Sequence, residues 1–372
     1  MEDFVEPAYG RRSLGDVVPA VAAALGVPIG RPPSGIKLPG AASYVILLID
    51  GLGARLLERH AHHAPYLAEL LAAQEVGTAG VPTTTVTSLT SLGTGLTPGA
   101  HGLVGFSARV PGTDRLLNHL WWDDAVDPLE WQPHPTAFTQ LSDFGAQVTV
   151  VNKREFRGSG LTVASCRGAD FVGADRVGER IAATVTASSV PGSLTYCYDS
   201  DLDWTGHKFG VASSQWLQQL AMVDAEAEQL REALPADRRL VVVADHGMVD
   251  CLDGDRLDMD EHPELNEGLI LVGGEARFRH LYCRGGAVDD VLAAWREHLG
   301  ERADVLTRAE AAGRGWFGPV DPTVAPRIGD VVVAGRGGLG VFSSQRFGYE
   351  TSLVGLHGSL TADEMLIPIL LD

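Results

Sequence analysis

Cysteine, basic side chains and long apolar runs are all scarce in this 372-residue chain. The four cysteines, Cys166, Cys197, Cys251 and Cys283, show no C-x-x-C spacing, which excludes a closely spaced redox pair. They read as free thiols of a cytoplasmic protein. Lys and Arg number 29 against 48 Asp and Glu, a formal charge of −19. That balance argues against polynucleotide partners and anionic membranes, both of which need basic surfaces. A small anionic substrate stays compatible if a metal supplies local positive charge. No apolar run approaches the roughly 20 residues of a membrane span. The opening MEDFVEPAYGRRS lacks the basic-then-apolar pattern of a signal peptide. Internal repeats and low-complexity tracts are missing too. What remains is 45% hydrophobic with mean hydropathy near zero, the composition of a globular chain.

The most informative stretch is 44–105. It begins YVILLIDGLG, an apolar run followed by Asp50 and a Gly-rich turn. Such a run predicts a buried strand over 44–49, with the carboxylate at its carboxyl end, where open α/β sheets place their sites. It continues as VPTTTVTSLTSLGTGLTPGAHGLVG, with hydroxyls at Thr83, Thr84, Thr85, Thr87 and Ser88 ahead of a short helix. A hydroxyl there is either an N-cap or a nucleophile placed where a helix N-terminus favours an anion. Clusters further along the chain favour the nucleophile.

Residues 1–40 form a preamble, with a short helix over 14–25 and a Pro/Gly-rich linker over 28–40. A helix is expected over 65–73. Strands are expected over 147–151, 194–198 and 240–244, and an amphipathic helix over 213–234. This strand–helix–strand rhythm predicts an α/β fold, a mostly parallel sheet with helices on both faces. Residues 248–325 are richer in charge and glycine. They read as a small inserted α+β subdomain, with strands over 269–272 and 278–283 and a helix over 288–299. The core is then 41–247 and 326–372, with 330–334 returning to the core sheet and a last strand over 365–370. Between 107 and 140 the chain is loop-rich and carries Trp121, Trp122 and Trp131. Trp121 and Trp122 are candidates for a wall that stacks on an aromatic leaving group. Lys153, just past a strand end, is a candidate to reach a phosphate, against its default as a surface lysine.

Four strand ends carry candidate ligands. Asp50 follows the first strand. Asp203 and His207 stand four apart beyond 194–198. Asp245 and His246 follow 240–244, and His357 precedes the last strand. Carboxylates and neutral imidazoles suit Zn²⁺ and related ions such as Mn²⁺. Six of them near strand ends fit a two-metal site that clamps the oxygens of a phosphoryl transfer, with Thr85 activated as nucleophile. Three other sets have plainer readings. His60, His62 and His63 suit a solvated helix end, His101 a structural role, and Asp258, Asp260, Glu261 and His262 a charged surface turn.

In combined order these motifs resemble the nucleotide pyrophosphatase/phosphodiesterase branch of the alkaline phosphatase superfamily. The matching segments are LLIDGLG, Pro82-Thr83-Thr84-Thr85, the Gly95–Gly102 run, Asp203–Gly210, Asp245–Met248, Arg327–Asp330 and Gly355–Gly358. The resemblance runs from about residue 44 to the C-terminus and implies an alkaline-phosphatase-like fold. It implies that Asp203, His207 and His357 hold one divalent ion and that Asp50, Asp245 and His246 hold the other. Thr85 would bridge to the second ion and attack phosphorus, giving a phosphothreonine that water hydrolyses. Where the family's phosphodiesterases carry an Asn three residues after the nucleophile, this chain has Ser88, a shorter group with one donor as a candidate phosphate contact. The implied activity is a metal-dependent phosphodiesterase or nucleotide pyrophosphatase acting on a small phosphate ester or nucleotide. The alternative is a phosphomonoesterase or a C–P hydrolase of the phosphonoacetate type.

Overall fold

The computed structural model describes residues 4–372. A 3-10 turn at Leu14–Asp16 leads into helix α1 (Val17–Ala24), whose Val17, Val18 and Val21 are buried. Two main sheets follow. In chain order their strands are β1 (Ser43–Ile49), β2 (Val148–Asn152), β3 (Asp170–Gly173), β4 (Leu194–Asp199), β5 (Arg238–Val243), β6 (Leu269–Glu275), β7 (Phe278–Cys283), β8 (Ala303–Thr307), β9 (Val331–Gly335) and β10 (Ile369–Leu371). The first sheet has the order β10-β5-β1-β4-β2-β3. Its neighbours are parallel except β10, which runs antiparallel to β5. All seven residues of β1 are buried, as a central strand covered on both faces requires.

Register decides where the chemistry falls. Ile49 of β1 lies beside Asp199 of β4, and Leu48 beside Val243 of β5. The carboxyl ends of these three adjacent strands are therefore level. Asp50, the turn after β4 and the Asp245-His246 turn all emerge along one edge. Helix α2 (Thr85–Thr94) starts at that edge, as does α3 (Asp201–Phe209). The long α4 (Ser214–Ala233) is capped by Ser213, whose side chain accepts from the Trp216 amide, and buries Trp216, Leu220, Val223, Ala227 and Leu230. Its Glu226 reaches a buried ion pair with Arg180, 2.7 Å away, which also binds Asp199 at the end of β4.

The second sheet is antiparallel, in the order β6-β7-β9-β8. Helix α5 (Val288–Leu299) packs on it through Val291, Trp295 and Leu299. The run expected to rejoin the core sheet at 330–334 lies instead in this sheet, as β9 between β7 and β8. A wholly buried VVVAG run reads alike in either sheet, so periodicity could not assign it. Edge strand β3 was not anticipated, because four residues alternating between half-buried and exposed carry a weak signal. The expected last strand splits at Pro368, which has no N–H for a ladder. Leu366–Ile367 pairs with Gly77–Thr78, and only β10 joins the sheet. No helix among the described residues is long and apolar enough to cross a membrane.

Candidate active site

The hydroxyl-rich loop sorts itself by burial. Thr83, Thr84, Thr87 and Ser88 are all buried, while Thr85 is half-exposed. Three of the buried hydroxyls are consumed by carbonyls: Thr83 Oγ1 donates to Ser359 O, Thr87 Oγ1 to Leu103 O and Ser88 Oγ to Asp245 O, at 2.7–2.9 Å. Ser88 therefore braces the Asp245 turn from inside and is not presented to a ligand, contrary to the expectation of a phosphate contact. Thr84 takes the N-cap position with no side-chain cap bond, and Thr85 is the first helical residue. Thr85 Oγ1 lies 3.4 Å from Asp50 Oδ2 and 3.3 Å from His246 Nε2.

The six expected ligands form one continuous cluster. Asp203 and His207 share a face of α3 at spacing i, i+4, with 3.3 Å between Oδ2 and Nε2. His207 Nε2 is 3.2 Å from His357 Nε2, which is 3.8 Å from Asp203 Oδ1. In the second trio, His246 Nε2 is 3.5 Å from Asp50 Oδ1 and 3.3 Å from Asp245 Oδ2. The His246 and His357 rings stack at 3.7 Å and join the trios. The second trio is buried, whereas His207 and Asp203 keep 24% and 13% of their side chains exposed, so the cluster opens on that side.

Backbone partners set the tautomers. Each Nδ1 faces a carbonyl, which only accepts: His207 to Gly355 O at 2.7 Å, His246 to Gly247 O at 3.0 Å and His357 to Thr83 O at 2.8 Å. All three Nδ1–H groups donate, and every Nε2 turns its lone pair into the cluster. Asp50 Oδ1, Asp203 Oδ1 and Asp245 Oδ2 are buried with no hydrogen-bond donor among the described residues. Lone pairs therefore face lone pairs and unpaired carboxylate oxygens, an arrangement that needs a cation. A tetrahedral ion with bonds of about 2.0–2.1 Å holds its ligand atoms about 3.3 Å apart, close to most of these spacings. The residues thus fit divalent metal. In the metal-free chain, burial and then Asp245 and Asp203 push the Asp50 carboxyl up, and burial also raises Asp245. Burial, His246 and His207 hold His357 well below the ordinary imidazole range.

Two glycines let the backbone come this close. Gly51 has φ +75° and donates its N–H to Asp245 Oδ1 at 3.0 Å; a Cβ there would come 3.1 Å from Asp203 Cα. Gly358, φ +136°, packs against Glu275, and a Cβ there would sit 2.7 Å from Glu275 Cγ.

The remaining expected contacts separate. Trp121 is 67% exposed and stands edge-on to Phe106 and Tyr349 at 5.8 and 5.7 Å. Glu275 links this aromatic group to the cluster: it lies against Gly358 and accepts from the Phe106 N–H at 2.7 Å. Trp122 turns inward instead. Its indole N–H donates to Val126 O at 2.7 Å and its ring packs on His119, so it is unavailable as a wall. Lys153 Nζ is held by Asp201 Oδ1 at 2.7 Å and Ser200 Oγ at 2.9 Å. Its charge is spent on the turn before α3. Sequence reasoning missed Tyr198, whose Oη donates to Asp50 Oδ2, along with Phe106, Tyr349 and Glu275. Only Tyr198 carried a signal, as a polar ring near the end of a strand beside that of Asp50. His101 is buried on Ser91, its imidazole lowered to about 3 by burial.

Site and fold together place candidate metal-binding clusters at the carboxyl edge of a mostly parallel sheet. The family model for type I phosphodiesterase / nucleotide pyrophosphatase matches residues 44–360, and the chain belongs to that family. Among solved structures it is similar to murine ectonucleotide pyrophosphatase / phosphodiesterase 5, at 16% identity and TM-score 0.66 over 87% of each chain. An inactive form of that murine protein has been solved in complex with AMP. It is also similar to phosphonoacetate hydrolase from Sinorhizobium meliloti in complex with phosphonoformate, at 20% identity and TM-score 0.65 over 91% of each chain.

Proposed function

We propose that this chain cleaves phosphate diesters or nucleotide pyrophosphates, with Thr85 as nucleophile. Asp203, His207 and His357 would hold one divalent ion and Asp50, Asp245 and His246 a second, zinc first and manganese next. The observation that carries this reading is the fate of the five hydroxyls: four are buried, and the fifth, Thr85, lies within 3.5 Å of both Asp50 and His246. Metal bound there would supply positive charge against the phosphate oxygens and favour the ionised hydroxyl.

The chain's own groups do the rest. Asp50 Oδ2 accepts the Thr85 hydroxyl hydrogen, which leaves Oγ1 lone pairs free for phosphorus. As the Oγ1–P bond forms, the Oγ1 proton passes to solvent, the bond to the ester oxygen breaks, and that oxygen leaves and takes a proton from solvent. Water then attacks the phosphothreonine, the Oγ1–P bond breaks, and Thr85 regains its proton. The first-turn amides of Thr85 and Val86 have no backbone acceptor among the described residues. They offer N–H donors to a phosphate at the positive end of α2.

Charge favours a diester. A monoester brings nearly two negative charges and calls for an Arg or Lys clamp. None occurs between residues 76 and 107, and Lys153 and Arg154 are paired with Asp201, Asp175 and Glu179. Trp121, Phe106 and Tyr349 supply an apolar face for the far side of a diester. With zinc or manganese loaded, kcat/KM for an aryl diester is expected to exceed that for the matching monoester by at least about tenfold, roughly 1.4 kcal/mol. A preference for the monoester, or for a phosphonate, would reverse the reading. The four unpaired, buried thiols support a cytoplasmic setting.

A further inference from the structure

A second His/carboxylate cluster lies on the antiparallel sheet's side of the molecule, apart from the catalytic residues. His262 ends a 3-10 turn (Met259–Glu261), and Glu264 lies in the one-turn helix Pro263–Asn266. His298 lies in the last turn of α5. Neither sequence spacing nor the surface-turn reading of 258–262 joined His262 to His298, which is 36 residues away. Asp258 and Asp260, the neighbours that mimic ligand spacing, are engaged elsewhere. Asp258 accepts from the Asp260 amide, and Asp260 from Ser343, the Gln345 amide and Arg346.

We propose that His262, Glu264 and His298 form a third site for a divalent transition-metal cation of the zinc class. Glu264 Oε1 is 3.5 Å from His262 Nδ1 and 3.2 Å from His298 Nδ1. The rings meet edge-on with centroids 4.4 Å apart. One ligand atom from each residue falls within 4.8 Å of the other two. The carboxylate spacings bracket the separation of about 3.3 Å that a tetrahedral ion imposes. Two imidazoles with one carboxylate select zinc-like ions over calcium or magnesium, which prefer all-oxygen sites.

The frame is held before any ion arrives. Asn266 Nδ2 donates to Met259 O at 2.7 Å and to His262 O at 3.3 Å. The buried Trp295 of α5 donates its indole N–H to Leu265 O at 3.0 Å. The 259–266 turn and the end of α5 thus keep their separation without metal, the preorganisation a site requires. His298 lies at a helix C-terminus, whose partial negative charge favours a cation. Glu264 keeps 53% of its side chain exposed, which leaves room for water to complete the coordination. Metal here would pin the 259–266 turn to α5.

Zinc content of the full chain after equilibration and desalting is the test, read beside His298→Ala and Glu264→Gln. Both variants are expected to hold one equivalent less than the native chain, with aryl diester hydrolysis unchanged. Competition with a chromophoric chelator should find this equivalent held about ten- to a hundredfold more weakly than the others, because among the described residues no second hydrogen bond fixes either ring. Unchanged zinc content in both variants would overturn the site. So would a native chain whose zinc is all lost in His207→Ala. If His298→Ala does not fold, Glu264→Gln alone decides. The outcome is independent of the phosphodiesterase reading, which stands or falls on turnover.

Discussion

The molecule carries two His/carboxylate clusters built to nearly the same spacings in opposite surroundings. At the sheet edge, Asp50, Asp245 and His246 are buried and every histidine is oriented by a backbone carbonyl. At the end of α5, Glu264 is exposed, and the two rings have no hydrogen-bond partner besides it among the described residues. Distance alone does not separate a catalytic centre from a surface clip. Burial and outer hydrogen bonds do, because they fix which lone pair faces inward and make an unpaired charge costly. The hydroxyl of Thr85, the proposed nucleophile, stands beside the buried cluster.

The largest expected effect tests that last distinction. Thr85→Ala should reduce turnover by at least about a thousandfold while the metal content stays at the native level, since the six other proposed ligands remain. Trapped phosphoenzyme should vanish with it. Retention of most activity would mean that another group attacks and that the buried cluster owes its role to something other than Thr85.

Carboxylates in the two settings should also titrate apart. Burial pushes Glu275, behind the catalytic edge, up to about 8, against the N–H it accepts from Phe106. Glu264 is instead held below the ordinary range by its own backbone amide and by His262 and His298. Between the unfolded value of 4.5 and about 8, folded Glu275 keeps a proton that the unfolded chain releases. Stability from this group is therefore full below the unfolded value and falls as pH rises through the folded one. Denaturant unfolding of Glu275→Gln, whose side chain cannot ionise, should lack this slope. From pH ~5 to ~9 the variant should gain on the native chain by on the order of 3 kcal/mol. Parallel curves for the two proteins would show that Glu275 ionises normally.

Stripping an outer hydrogen bond from the buried cluster should make it behave more like the exposed one. Tyr198→Phe removes the hydroxyl that donates to Asp50 Oδ2 and leaves the ring in place. Affinity for the ion proposed at Asp50, Asp245 and His246 should drop by about ten- to a hundredfold, measured by chelator competition. An unchanged affinity would mean that the ligand spacings suffice on their own.

The smallest effect concerns the aromatic face. Trp121→Ala should raise KM for aryl diesters several-fold, about 1 kcal/mol, and leave small alkyl diesters nearly untouched. Equal losses on both would place Trp121 in the loop's folding and not against a substrate.

By itself, the sequence determined the parts that depend on local order. Continuous apolar runs marked β1, β4 and β5, and the polar residue after each run lay at a strand end, so Asp50, Asp245 and His246 were legible. Asp203 and His207 were legible as a pair four apart beyond β4, while the structure showed that one face of α3 carries both. Tertiary structure decided what depends on packing between distant segments. It gave β9 to the second sheet, because a run buried on both faces looks the same in either. It turned Ser88 and Trp122 inward and paired Lys153 with Asp201, although nothing in their own spacing separates a buried or paired side chain from a presented one. It brought Tyr198 onto Asp50, Glu275 onto Gly358 and His262 within reach of His298. Strand and helix periodicity fixes the face a residue occupies on its own element, but only the assembled chain fixes what that face meets.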